Sequence, residues 1–323
     1  MPNTLIKPHI ICYAPLNKVS KVFNWISVTQ GYYNAFFKNE PNNYDKITLY
    51  TSIFDDEPER IVDDNVFSDV TFRWFEGFSI VKFSVNAFRN TADRLLGFSC
   101  YNCPLVHRPP KYDIYKMINK MIHLSVLKMS LNVSEIPENA FVPTTNHSEL
   151  ALVELKSFQN LTIKSNAFQN LTKINTFTIY DTTIKSIEKD AFKFPAYKII
   201  FGDCKLTGDS FKIGSFDGLK PKTDINGNST SMHILFERTN INYLPEGVFK
   251  PFLESNKNNT IGLTCCNNLL AESLIDCSDC RNHWLIKDTN LQNQIVGGYC
   301  QDEGYSKTLF SDEIKTKLSE KCK

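Results

Sequence analysis

A six-residue phrase keeps returning along this chain: an apolar residue, two mostly polar ones, then Asn, Asp or Gly, a small residue and Phe. It reads VDDNVF ending at Phe67, FSVNAF at Phe88, IPENAF at Phe141, IKSNAF at Phe168, IEKDAF at Phe192, FKIGSF at Phe216 and LPEGVF at Phe249. Successive phenylalanines lie 21, 53, 27, 24, 24 and 33 residues apart, and the long gap halves if Tyr115 is a degenerate copy. A period in the twenties implies a stacked array, in which each unit buries its apolar side only against its neighbours.

Upstream of the phrase runs a short apolar alternation. In FTIYDTTIKSI, Phe177, Ile179, Ile184 and Ile187 take the apolar positions of an L-x-L-x-x-N-x-L-x-x-L frame. The same frame accepts Ile199, Phe201, Cys204 and Leu206, then Ile234, Phe236, Thr239, Ile241 and Leu244. This is the leucine-rich repeat pattern, with one strand per repeat. The expected fold class is α/β: a leucine-rich repeat solenoid with a curved parallel sheet on its concave side and short helices, 3-10 turns and loops on its convex side. Asn139, Asn166 and Asp190 are read as caps of those short helices, their side-chain oxygens accepting from unpaired N–H groups. The chain divides into a remnant of an N-terminal cap and first repeat at 1–40, eight or nine repeats at 41–264, and a cysteine-rich C-terminal cap at 265–323.

Composition excludes several function classes. The formal net charge is +1, so no basic field is available for nucleic acid or an anionic membrane surface. No apolar run reaches the roughly 18 residues needed to span a bilayer. The six histidines, at 9, 107, 123, 147, 233 and 283, are scattered, and no nucleophile-elbow, dinucleotide or P-loop motif occurs. The acidic pairs Asp55-Asp56 and Asp63-Asp64 sit before or within repeat turns, where neighbouring acids diverge instead of converging on a cleft. No catalytic residue, metal ligand or cofactor is assigned.

Ten cysteines form the second strong signal, and Cys277, Cys280, Cys300 and Cys322 crowd the last fifth of the chain. The segment CSDCRNHWLI, followed by Cys300 and Cys322, resembles the cysteine-rich C-terminal flank of extracellular leucine-rich repeat proteins. It departs from that flank in having Cys-x-x-Cys before Trp284-Leu285, where Cys-x-Cys is usual. The resemblance implies pairing of Cys277 with Cys300 and of Cys280 with Cys322. Zinc on the two Cys-x-x-Cys pairs is disfavoured, because a rigid array holds Cys100 and Cys103 far from Cys277 and Cys280. A local or inter-loop disulfide is expected for the earlier pair, and a buried free thiol for Cys204 and Cys266, with Cys265 joining the cap.

The order of IICYAPLNKVSKVFNWI, DKITLY and the repeats from DDNVFSDVTFRWFEGF onward is similar to a family of arthropod secreted leucine-rich repeat proteins, typified by the oplophorus-luciferin 2-monooxygenase non-catalytic subunit. That resemblance implies a subunit that binds or stabilises a protein partner, either a catalytic subunit or an extracellular ligand, and carries no chemistry of its own. The other reading is the ectodomain of an adhesion or pattern-recognition receptor. No signal peptide is visible in residues 1–30, so the expectation is a secreted chain that begins after its signal, with Cys12 left from an N-terminal cap.

Function is expected on strand residues that point away from the core: Thr48, Tyr50, Lys128, Ser130, Glu154, Lys156, Thr178, Tyr180, Asp181, Asp203, Glu237 and Arg238. They mix both charge signs with tyrosines and hydroxyls, a composition that suits a protein or glycan better than phosphate or lipid. Glycosylation sequons stand at Asn132, Asn146, Asn160, Asn170, Asn228 and Asn258. Asn228 lies in KPKTDINGNSTS, an insertion read as an exposed loop.

Overall fold

The computed structural model describes residues 9–13, 21–24, 43–50, 61–64, 67, 71–142, 150–169, 171, 174–223, 230–264, 275–302 and 305–322. The chain forms two compact units, Met1–Val133 with Ala140–Phe158, and Ser134–Asn139 with Gln159–Lys323.

In the first unit, β1 (His9–Tyr13) lies antiparallel between β2 (Lys21–Asn24) and β3 (Asn43–Tyr50). Four strands then follow β3 in parallel: β4 (Thr71–Phe78), β5 (Gly97–Leu105), β6 (Val126–Leu131) and β7 (Leu152–Ser157). Each parallel strand needs a long return, and the apolar frame with the Phe phrase supplies it. One sheet face is buried on rings: Phe67 stacks on Phe88 at 5.3 Å and Phe75 on Phe98 at 5.4 Å. Tyr115, in α1 (Ile114–Ile118), is buried and meets Phe141 edge-on at 5.2 Å, so it occupies the ring position of the missing copy. Each ring withdrawn from water contributes about 1.5–3 kcal/mol.

The second unit repeats the plan with β8 (Ile174–Tyr180), β9 (Pro195–Gly202), β10 (His233–Glu237), β11 (Thr260–Thr264) and β12 (Ile295–Val296), all parallel. Its core is a spine of the phrase phenylalanines. Phe168, Phe192 and Phe216 stack at 5.8 and 5.7 Å, and Phe249 follows, tilted, at 5.7 Å.

On the return side, three of the phrase copies form turns where helix starts were expected. Asn139, Asn166, Asp190 and Gly214 have φ of 58°, 54°, 56° and 83°, the left-handed region that Gly, Asn and Asp tolerate best. A residue in that conformation is no helix N-cap, which takes extended φ and ψ. Successive copies are joined through their backbones: the N–H of Asn139 donates to the Asn166 carbonyl, that of Asn166 to Asp190 and that of Asp190 to Gly214, at 3.3, 3.0 and 2.9 Å. Short parallel ladders accompany them, Phe168–Gln169 with Phe192–Lys193, and Leu161–Ile163 between Glu135–Ile136 and Ile184–Ile187. Among the described residues, only the last phrase copy enters a longer helix, α2 (Glu246–Glu254), with Val248, Phe249, Phe252 and Leu253 buried on one stripe.

After β11 the cap closes the end of the array. It contains α3 (His283–Lys287), α4 (Thr289–Gln292), α5 (Asp312–Lys321) and a three-stranded sheet of Ile275–Asp276, Tyr299–Asp302 and Tyr305–Thr308. Cys277 is bonded to Cys300 and Cys280 to Cys322. Polar side chains bolt this cap to the last repeat. The buried Asn282 accepts from the Leu244 N–H at 3.0 Å and donates to the Asn242 and Asp276 carbonyls. The Trp284 indole donates to the Leu244 carbonyl at 2.9 Å, and Gln294 donates to three carbonyls from Leu253, Asn256 and Asn259. Cys100 is bonded to Cys103, and Cys204 is a buried free thiol. The side chain of Cys12 and all of Cys265 and Cys266 lie outside the described residues.

Candidate functional site

Because the rings fill one side of the sheet, the other side is where strand residues meet solvent. In the first unit this open face has three cross-strand rows set by the register. Lys46, Trp74, Gly97, Val126 and Leu152 form the first, and Thr48, Glu76, Ser99, Lys128 and Glu154 the second. The third places Phe78 beside Tyr101, rings 5.3 Å apart, and Ser130 beside Lys156. Two ion pairs tie neighbouring strands, Lys46 to Glu76 at 2.8 Å and Lys128 to Glu154 at 2.9 Å. Trp74 lies flat on its neighbour because that neighbour is Gly97: a Cβ there would sit 2.0 Å from the indole Cε3.

In the second unit Thr176, Lys198, His233 and Thr260 share one row, and Thr178, Ile200, Leu235, Gly262 and Val296 the next. Tyr180, Gly202 and Glu237 share a third. Leu235 leans over Gly262, where a Cβ would approach it to 2.4 Å, and Val296 is half exposed. His233 stands between two hydroxyls, with Nδ1 2.7 Å from Thr260 Oγ1 and Nε2 3.1 Å from Ser231 Oγ, and its ring meets the exposed Tyr197 at 5.0 Å.

Burial, reinforced by the Lys198 charge, holds the His233 imidazole below its ordinary 6.5. Burial also lowers His107, against the opposing pull of Asp113. Just below pH 6.5 the unfolded chain therefore binds more protons at these sites than the folded one. The contribution of these two groups to stability is full above that value, declines as pH falls toward the lowered folded pKa, and levels off below it. Melting temperatures between about pH 8 and pH 5 should fall on the acid side, with a shallower fall in His233→Asn. An unchanged slope in that variant removes His233 from the account.

The residues expected on this face are not all there. Lys128, Glu154, Lys156, Thr178, Tyr180 and Glu237 occupy it, half exposed. Thr48 and Ser130 hold open-face register positions but are 1% and 2% exposed, covered by their surroundings. The Tyr50 side chain lies outside the described residues. Asp181, Asp203 and Arg238 belong to the turns that end the strands, with φ of 45°, 52° and 49°, so the strand alternation stops one residue before them. There Arg238 grips Asp203 with two hydrogen bonds, one of them Nε to Oδ1 at 2.6 Å, and holds that carboxyl below the usual range. Both lie on a side groove of about 770 Å³ with Lys205, Asn240 and Asn242. The neighbouring Cys204 thiol is pushed up to about 12 by burial, which removes it as a nucleophile. Trp74, Glu76, Phe78, Tyr101, His233 and Leu235 also stand on the open face, where the sequence pattern had not placed them. Extending the alternation across Thr71–Phe78 and Gly97–Leu105 identifies the four in the first unit.

Among the described residues no group of three or more His, Cys, Asp or Glu side chains is placed to hold a metal ion. The sulfurs of both Cys-x-x-Cys pairs are committed to disulfides. No described helix is long and apolar enough to cross a membrane.

A parallel sheet with one strand per repeat, a stacked core phrase and a disulfide cap define a leucine-rich repeat solenoid. No protein-family model matches the chain, and no curated protein does. Among solved structures it is similar to human 5T4 (Wnt-activated inhibitory factor 1, trophoblast glycoprotein), with 13% identity over 59% of this chain and 85% of that one, at a TM-score of 0.25. It is also similar to a chain of the Drosophila Toll–Spätzle complex in its glycosylated form, with 11% identity over 85% of this chain and a TM-score of 0.35. The match spans 37% of that second chain.

Proposed function

We propose that this protein is a non-catalytic, extracellular leucine-rich repeat protein that binds a protein partner on the open face of its sheet. The observation that carries the reading is the division of labour within each strand: rings and aliphatics fill one side, while the other presents Trp74, Phe78, Tyr101, Tyr180 and Leu235 among charged and hydroxyl groups. Aromatic anchors surrounded by polar side chains suit a protein surface. Three disulfides among the described residues favour an oxidising compartment. In the family that the sequence resembles the partner is a catalytic subunit, and this chain then acts as its stabilising subunit.

Immobilised protein incubated with native extracellular fluid should retain a partner. Capture should drop by about tenfold or more with Trp74→Ala or Leu235→Lys, as for interface anchors, and persist with Ile213→Ser in the phrase turn. Capture that ignores the open-face variants but fails with Ile213→Ser would relocate the site. Light from the chain alone with an imidazopyrazinone luciferin, above a buffer blank, would overturn the non-catalytic reading.

A further inference from the structure

The pentapeptide Phe-Gln-Asn-Leu-Thr occurs twice, at 158–162 and at 168–172, and both copies carry a glycosylation sequon with Phe two residues ahead of its Asn. Folding gives the two phenylalanines opposite fates. Phe168 is fully buried, 5.8 Å from Phe192 and 4.7 Å edge-on to Phe177. Phe158, directly after β7, is 48% exposed at a bend of the chain, and Gln159 and Asn160 beside it are exposed as well. The Lys156 ammonium lies over the Phe158 ring, 5.1 Å from its centre, and about half of the side chain still faces water.

An aromatic face carries partial negative charge and attracts the partly positive C–H groups of a sugar while shedding water. We propose that Asn160 is an N-glycosylation site and that its first N-acetylglucosamine packs on Phe158, a platform denied to the second copy because Phe168 is core. The glycan comes from a lipid-pyrophosphate oligosaccharide donor in the secretory pathway. The bond from Asn160 Nδ2 to sugar C1 forms as the C1–O bond to the lipid pyrophosphate breaks, and the amide loses one proton. The proposal rests on the extracellular reading above.

The test is secretion of the full chain behind an added leader from a eukaryotic host, followed by glycopeptide mass spectrometry and thermal unfolding of wild type, Phe158→Ala, Asn160→Gln and the double variant. Asn160 should be occupied, and Phe158→Ala should lower the melting temperature by about 2–4 °C in glycosylated protein. In the Asn160→Gln background the same change should have a clearly smaller effect, that of the lost Lys156 contact alone. Equal shifts in both backgrounds, or an empty Asn160 while other sequons are filled, overturn the platform and leave the extracellular reading standing. Retention of the chain in the cell with every sequon empty overturns both.

Discussion

Replacing Phe192 by Ala should lower the unfolding free energy by about 3–5 kcal/mol, the range for emptying a large ring from a packed core. Phe192 is fully buried and central to the spine: Phe168 and Phe216 stack on its two sides, and Phe177 and Phe194 close around it at 5.6 and 6.2 Å. Its partners come from the repeats before and after its own, so the cavity cannot collapse without moving both. In an array held by nearest-neighbour interfaces, one weakened junction splits the cooperative unit. Urea unfolding should therefore show both a lower midpoint and a broader transition, and amide exchange should accelerate in β8 and β9 before β10. Ile213→Ala supplies the control: that side chain is 77% exposed, and surface substitutions of its kind stay within about 0.5 kcal/mol. A Phe192 variant no weaker than the Ile213 variant would deny the spine its role.

The same spine explains how far the sequence could be read. Phe168, Phe192 and Phe216 repeat in the chain because they stack in space, so period and packing report one fact. The Asn or Asp two residues ahead was harder to place. Helix caps and left-handed turns favour the same small polar residues, and what selects the turn is the carbonyl of the next copy, which becomes a neighbour only after folding. Asp181, Asp203 and Arg238 were misplaced for a related reason. Period-two alternation says nothing about where a strand stops, and the left-handed turn takes over at the residue after Tyr180, Gly202 and Glu237. On the open face, Lys128 and Glu154 were legible from alternation alone. The seat of Trp74 was not, because it depends on Gly97 in the adjacent strand and hence on register. Thr48 and Ser130 show the converse: alternation assigns a face, and burial on that face depends on what lies over it.

Conversion of Cys277 and Cys300 to Ala should cost about 3–4 kcal/mol, since the disulfide closes a loop with a sequence separation of 23 and both residues are buried. The Cys100–Cys103 bond, with a separation of 3, constrains the unfolded chain far less, and its removal should cost about 2 kcal/mol on the same reasoning. The larger loss is expected to travel. Asn282, Trp284 and Gln294 hold seven hydrogen bonds to backbone groups of the last repeat and the cap, and each needs the cap chain kept in place. Once the cap frays, Leu244, Leu253 and Leu263, now at 0–1% exposure, become the open end of an apolar core. Terminal repeats without a polar cover are prone to association. Limited proteolysis of the Cys277→Ala, Cys300→Ala protein should cut first within 275–302, then in α2, while β8 and β9 stay protected. Light scattering should rise at the temperature where the cuts begin. Mild reductant on the wild type should act on Cys280–Cys322 before Cys277–Cys300, because Cys280 is exposed and the other pair is enclosed. A cap that is lost with no change in protection of α2 or in scattering would mean that the repeats stand without it, and the disulfides would then serve only the cap's own fold.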